Sequence, residues 1–148
     1  MKSIEKQIME AFAKIRLAFY QKVFTRVRER DGSLSAMEVF SLEVIYALNR
    51  PTISQFARFI GISQSNATYK VNSLTRKGYL VRRPSEEDGR EYTLELSDKF
   101  YSYTNMFEGS FTSIISKLSE ELSKEELATV AKAIGIVTRE VDNVSKKQ

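Results

Sequence analysis

Apolar residues recur at steps of three and four from the start of the chain: Ile4, Ile8, Phe12, Ile15, Phe19, Val23 and Val27. That is one stripe along a helix of about 25 residues, which Asp31-Gly32 ends. Ser35 then caps a second helix carrying Val39, Leu42, Ile45, Tyr46 and Leu48, with Glu38 completing a capping box. Asn49-Arg50-Pro51 breaks it. Thr52 and Gln55 form another capping box and open a short helix whose inner residues are Ile53, Phe56, Ala57 and Ile60. Gly61 supplies a sharp turn. Ser63 caps the next helix, which faces inward through Ala67, Val71 and Leu74 and closes at Gly78.

The period then changes from helical to alternating. Tyr79–Pro84 and Glu91–Leu96 read as strands, with Tyr92, Leu94 and Leu96 alternating against Thr93 and Glu95. The polar loop between them turns at Asp88-Gly89. Ser97 caps a further long helix lined by Phe100, Tyr103, Phe107, Phe111, Ile114, Leu118 and Leu122. Ser123 and Glu126 form a capping box for a last helix, whose Leu127, Val130, Ile134, Val137, Val141 and Val144 follow a heptad seam. The expected fold is mainly α with a small β-hairpin wing: a winged helix-turn-helix over 35–97, between long N- and C-terminal helices at 1–30 and 98–145. Those terminal helices carry more apolar surface than a small winged domain can cover. An intramolecular bundle would cover it; a second copy of the chain would also do so, and is favoured because it supplies a DNA reader with two half-sites.

Composition narrows the function. There is no cysteine and no histidine, which removes a disulfide framework, a thiol nucleophile, the usual general base and the commonest metal ligand. Glu86, Glu87 and Asp88 are adjacent in an exposed loop and cannot easily share a desolvated site, so no enzyme, cofactor or metal is expected. No apolar run is long enough for a membrane span, and the first ten residues lack the apolar core of a signal peptide; a cytoplasmic location is the default expectation. The net charge of +4 is unevenly spread: +2 over 1–49, +5 over 50–90 and −3 over 91–148. The positive field therefore sits on the helix-turn-helix and hairpin, the footprint of a polyanion binder.

With Ala67, Val71 and Leu74 turned inward, the outward side of the Ser63–Lys77 helix holds Ser63, Gln64, Ser65, Asn66, Thr68, Tyr69, Lys70, Asn72, Ser73 and Arg76. Amides and hydroxyls can donate to and accept from base edges in a major groove, which a helix fits. The preceding helix start, with Thr52, Ser54 and Gln55, offers backbone N–H groups to phosphate. Arg82, Arg83 and Arg90 flank the hairpin loop, and an arginine at a wing tip can enter a minor groove. Asp88 and Gly89 shape that tip, and Asp88 can orient Arg90; the alternative for Arg90 is a hairpin salt bridge with Asp88, Glu86 or Glu87. Double-stranded DNA is the expected partner. A rival reading makes the winged fold a protein-interaction adaptor without specific DNA binding.

The stretches Ile62-Ser63-Gln64-Ser65-Asn66-Ala67-Thr68, Leu74 to Gly78-Tyr79-Leu80, Asp88-Gly89-Arg90 and Leu94-Glu95-Leu96-Ser97 resemble the winged helix-turn-helix of the MarR family of bacterial regulators. Leu122-Ser123-Lys124-Glu125-Glu126-Leu127 is similar to the family's dimerisation region. The resemblance implies a single MarR-type domain over 1–148 and a homodimer binding a pseudo-palindromic operator, with repression as the usual outcome. It puts the Ser63–Arg76 helix in the major groove and Arg90 in the minor groove. Tyr69 and Lys70 depart from it, standing where many members carry an arginine followed by an apolar residue. Many members respond to small phenolic or lipophilic ligands, to oxidation or to zinc; composition excludes cysteine oxidation and histidine-based zinc sensing here. A small hydrophobic or phenolic effector is a further expected partner, in a pocket lined by Tyr20, Phe24, Phe40, Tyr46, Phe107 and Phe111, against the plainer reading of these aromatics as core.

Overall fold

The computed structural model describes residues 3–28, 34–104 and 106–145, with the side chains of 26, 28 and 103–110 outside the description. The expected helix stop at Asp31-Gly32, the ends of the 1–30 segment and the Phe107 side chain therefore lie outside the described residues. The chain divides into two compact units, Met1–Tyr103 and Thr104–Gln148.

In the first unit, α1 (Ile4–Arg28) is followed by α2 (Ala36–Leu48), α3 (Ile53–Ile60), α4 (Gln64–Arg76), β1 (Leu80–Pro84), β2 (Tyr92–Leu96) and α5 (Asp98–Thr104). The helix starts form as their cap residues dictate. Ser35 and Glu38 cap each other's backbone, Thr52 and Gln55 do the same, and the Ser63 hydroxyl accepts from the Asn66 N–H at 3.2 Å. Gly61 ends α3 in the left-handed region at φ 70°, which only glycine adopts freely. The core gathers Leu42, Ile45, Phe56, Ala67, Val71, Leu74, Tyr79 and Leu94, with Phe100 at its margin. The apolar stripe of α1 is covered only toward its C-terminal end, where Val23 is buried and Phe19 packs on Phe40 at 5.7 Å between ring centres; Ile4, Ile8, Phe12 and Ile15 stay exposed.

The hairpin is antiparallel, pairing Leu80 with Leu96, Arg82 with Leu94 and Pro84 with Tyr92. A further pairing extends it: Thr52 bridges Thr93, and the Leu94 N–H donates to the Pro51 carbonyl at 2.8 Å. The start of α3 is thereby stitched to the wing. The corner before it is made by Asn49 and Arg50 at φ 53° and 60°. The left-handed region costs a non-glycine residue about 1–2 kcal/mol, and here the Arg50 guanidinium is held by Glu95.

Two further ties fix α4. Its C-terminal end is held to α2 by Glu38, whose carboxylate takes bonds from Lys77 Nζ at 2.9 Å, from Ser73 Oγ at 3.0 Å and from the Ser35 N–H at 2.8 Å. The turn after α4 is held from α5. Ser97 stands at the expected cap position, its carbonyl accepting the Tyr101 N–H at 3.3 Å; its hydroxyl donates to the Gly78 carbonyl, and its N–H donates to Tyr79 O at 3.0 Å. Lys99 completes this clamp, donating to Lys77 O at 2.8 Å with its ammonium 4.6 Å from the Tyr79 ring centre.

The helix expected after Ser97 is described as α5 and, beyond Asn105, α6 (Met106–Glu121). In the second unit α6 meets α7 (Lys124–Ser145), which opens at the expected capping box: Ser123 N–H to Glu126 at 2.8 Å, and Glu126 N–H to Ser123 Oγ at 3.3 Å. Among the described residues of α7 none is buried, and its seam residues Ile134, Val137, Val141 and Val144 are between 50% and 62% exposed.

Glu38 generates a prediction. Partial burial pushes its carboxyl up, but the bonds from Lys77, the Ser35 backbone and Ser73, with the charge of Lys77, outweigh this and hold it below the ordinary 4.5. A lowered folded value means the stabilisation is complete above pH 4.5 and is lost as pH falls through the folded value. Glu38→Gln is expected to lose about 1 kcal/mol at neutral pH, a difference from wild type that shrinks below pH 4.5. Urea unfolding of both proteins from neutral pH down through the carboxylate range checks this; a difference independent of pH contradicts it.

Candidate nucleic-acid interface

Burial of Ala67, Val71 and Leu74, each 0% exposed, decides which side of α4 faces out. Three inward residues at helical spacing leave the remaining arc to solvent. On that arc Ser63, Gln64, Ser65, Asn66, Tyr69, Asn72 and Arg76 are placed, with Thr68 and Lys70 beside them. No acidic residue occurs on α4. Tyr69 is 69% exposed, placing an aromatic ring with a hydroxyl tip at the centre of the surface.

Local bonds engage part of this set. Thr68 Oγ1 donates to the Gln64 carbonyl at 2.9 Å, and Ser63 and Ser65 share a hydroxyl contact at 3.3 Å. Ser73, expected among the DNA-facing residues, has its hydroxyl on Glu38, which commits it to the packing of α4 against α2. Thr52 and Gln55 cap one another, so their side chains order the first turn of α3.

The wing sorts its arginines by strand parity. Arg83 lies on the outer face, where Glu95 takes its Nε at 3.3 Å and also holds Arg50. Such exposed pairs are worth about 0–1 kcal/mol, so a phosphate can compete for either arginine. Arg82 lies on the inner face and donates to the side chain of Asn72 on α4. At the tip, the Asp88 carboxylate accepts the Arg90 backbone N–H at 3.0 Å, with Ser85 Oγ bonding the N–H groups of Glu87 and Asp88. Asp88 thus shapes the turn through the backbone of Arg90. Among the described residues no salt bridge engages the Arg90 guanidinium, and Glu86, Glu87 and Asp88 do not pair with it.

The elements converge on a groove of about 300 Å³, lined by Thr52, Ile53 and Ser54 from the start of α3, Gln64 from the start of α4, and Arg90, Glu91 and Tyr92 from the wing. Two helix N-termini and a guanidinium outside those salt bridges, around one groove, suit an anionic backbone. The residues missed by sequence reasoning are structural: Pro51 and Thr93, which tie α3 to the wing, and Arg50. A one-residue bridge leaves no periodicity to detect.

Within the first unit, the aromatics expected to line an effector pocket are placed as follows. Phe40 packs on Phe19, Tyr46 packs on Phe100 at 5.8 Å, and Tyr20 and Phe24 are exposed. Tyr46 does line a cavity of about 240 Å³, but with Ile45, Asn49, Arg50, Leu94, Glu95, Leu96 and Tyr101. Phe111 belongs to the second unit, where its side chain is exposed, and the Phe107 side chain lies outside the described residues.

Comparison with known proteins agrees with this architecture. Residues 33–91 match the model of the MarR family. A curated relative, the uncharacterized HTH-type transcriptional regulator YfiV of Bacillus subtilis, is 29% identical over 137 residues, which cover 86% of this chain and 84% of the relative. Streptococcus pneumoniae FabT, solved in complex with DNA, shares the fold with a TM-score of 0.60 at 23% identity, covering 95% of this chain and 99% of that one. A MepR point mutant from a multidrug-resistant S. aureus clinical isolate does so with a TM-score of 0.62 at 16% identity, over 95% of this chain and 99% of that one. The winged segment thus matches the model of the MarR family, and the fold is shared along nearly the whole chain with FabT and MepR, so the chain is similar to the MarR family of transcriptional regulators.

Proposed function

We propose that this chain is a MarR-family regulator that binds double-stranded DNA sequence-specifically as a homodimer, and represses transcription at a pseudo-palindromic operator. The observation that carries the reading is the outward face of α4, free of acid and fixed by a fully buried triad, beside a wing whose Arg90 guanidinium is in no salt bridge among the described residues. In this reading Gln64, Ser65, Asn66, Tyr69 and Asn72 face base edges, Lys70 and Arg76 reach phosphates, and Arg90 enters the adjacent minor groove. Ser54 and the first N–H groups of α3 take a phosphate across the groove. FabT was solved with DNA, and another MepR mutant of S. aureus was solved bound to an oligodeoxyribonucleotide; duplex DNA is the partner assigned here. The family is one of regulators, and the chain is not an enzyme.

Pairing is supported by the uncovered seam of α7 and the uncovered N-terminal part of the α1 stripe. Exposed apolar surface of this extent marks an interaction face, and a heptad seam suits a second helix. Two copies would then place their α4 helices in successive major grooves, with half-site centres about 10 bp apart. A small hydrophobic effector would need a pocket of roughly 300 Å³ or more. The cavity beside Tyr46 has about 240 Å³ and falls short of that size by itself.

Selection from a random duplex library at near-physiological salt is expected to enrich an inverted repeat with half-sites about one helical turn apart. Binding of any duplex without enrichment, by a chain that sediments as a monomer, would favour the adaptor reading. Arg90→Ala is expected to weaken operator binding and to lower the slope of log K against log salt by about 0.9; equal affinity and slope would remove Arg90 from the interface. Introducing Val137→Glu and Val141→Glu together is expected to give a monomer with unchanged helicity and about a hundredfold lower operator affinity. Sedimentation of the double variant as a dimer would show that the α7 seam is not the pairing surface.

A further inference from the structure

Two side chains on the candidate DNA surface are bonded to each other. Arg82 stands opposite Leu94 in the hairpin, on the face that carries Leu80, Leu94 and Leu96 against the core. That parity turns it toward α4, whereas Arg83 turns outward to Glu95. The Arg82 guanidinium donates through Nη2 to Oδ1 of Asn72, its side chain is half-buried, and its Nε is buried without a hydrogen-bond partner. Asn72 is itself exposed on the outward arc of α4.

The chemistry of this pair settles the orientation of the amide. A guanidinium has donors and no acceptor, so the Asn72 atom facing it is the carbonyl oxygen, and the NH2 group is the other end. An unrestrained asparagine in a major groove pairs with adenine through both ends, accepting from N6 and donating to N7. With a cation bonded at its oxygen, Asn72 is poor at accepting a second N–H there and retains its two donors. The bases that present acceptors and no neighbouring donor on the same edge are guanine, through N7 and O6, and thymine, through O4.

We propose that Arg82 is a positioning residue for base readout: by holding Oδ1 of Asn72 it presents that amide to the major groove as a donor, and so selects guanine or thymine over adenine at one position of each half-site. The inference rests on the DNA-reading function proposed above. It separates Arg82 from the other wing arginines, because a residue that acts through Asn72 adds base preference and no phosphate contact.

The test compares duplexes selected from a random library by wild type, Asn72→Ala and Arg82→Met, together with the salt dependence of binding to the wild-type consensus. Wild type is expected to prefer guanine or thymine at a position where Asn72→Ala loses preference. Arg82→Met keeps the aliphatic stem and frees Asn72, so adenine at that position should rise about fivefold or more relative to wild type. Its slope of log K against log salt should equal that of wild type. A slope lower by about 0.9 would make Arg82 a phosphate contact and overturn the proposal, as would a base profile for Arg82→Met identical to wild type at every position. Arg82→Lys, which keeps charge and stem but not the forked reach to Asn72, is expected to shift the profile in the same direction and serves if the methionine variant does not fold. If wild type itself selects no sequence, the DNA-reading function fails and this inference with it; if wild type selects a motif and both Arg82 variants reproduce its profile, this inference alone falls.

Discussion

The packing of three small and medium side chains under α4 is the constraint on which the rest of the site depends. Ala67, Val71 and Leu74 are each fully removed from solvent and share a core with Phe56, Tyr79 and Leu94. Each fully buried valine or leucine contributes on the order of 1.5–3 kcal/mol, so rotating α4 about its axis would forfeit several kcal/mol. The direction in which Gln64, Asn66, Tyr69 and Asn72 project is therefore a consequence of the core. The buried alanine matters through its size, since a larger residue there would push α4 away from the elements beneath it.

Polar ties then fix what apolar packing leaves loose. Packing sets the rotation of α4 but is less demanding about its tilt and its distance from the wing. Glu38 holds the C-terminal end from α2, and Ser97 and Lys99 hold the following turn from the start of α5. The Pro51–Leu94 bond and the Thr52–Thr93 bridge hold the hairpin against the start of α3. The result is a rigid frame with a wing tip whose own order comes from Asp88 and Ser85. A surface that must meet the fixed spacing of a duplex benefits from this, because ordering its elements at the moment of binding would cost affinity.

Much of this was legible in the sequence, for physical reasons that can be named. Capping boxes at Ser35 and Thr52 are local in sequence, so their spacing alone places the helix starts, and both are present. The inner triad of α4 follows from periodicity. What was not legible involves long sequence separation. Ser73 reads as an outward hydroxyl until Glu38, 35 residues earlier, is seen to take it. Arg82 and Arg83 read alike as basic neighbours, although the pairing of Leu80 with Leu96 already implies that only one of them faces the core side. The Ser97 hydroxyl reads as part of a helix cap, whereas its proton goes to the Gly78 carbonyl, 19 residues earlier. The ring contacts of Phe40 with Phe19 and of Tyr46 with Phe100 likewise join residues far apart in sequence.

The central claim is geometric: α4 lies in a major groove while the wing tip lies in the adjacent minor groove. The chain contains no cysteine, so a single introduced thiol can carry a DNA-cleaving iron chelate to one known place. The decisive measurement is cleavage of the selected duplex by two such conjugates, one at Gln64→Cys and one at Gly89→Cys. The account predicts cuts from the α4 conjugate within each half-site with a major-groove pattern, and cuts from the wing conjugate flanking them with a minor-groove pattern. Cuts from both conjugates in one groove, or scattered along the duplex, would contradict it.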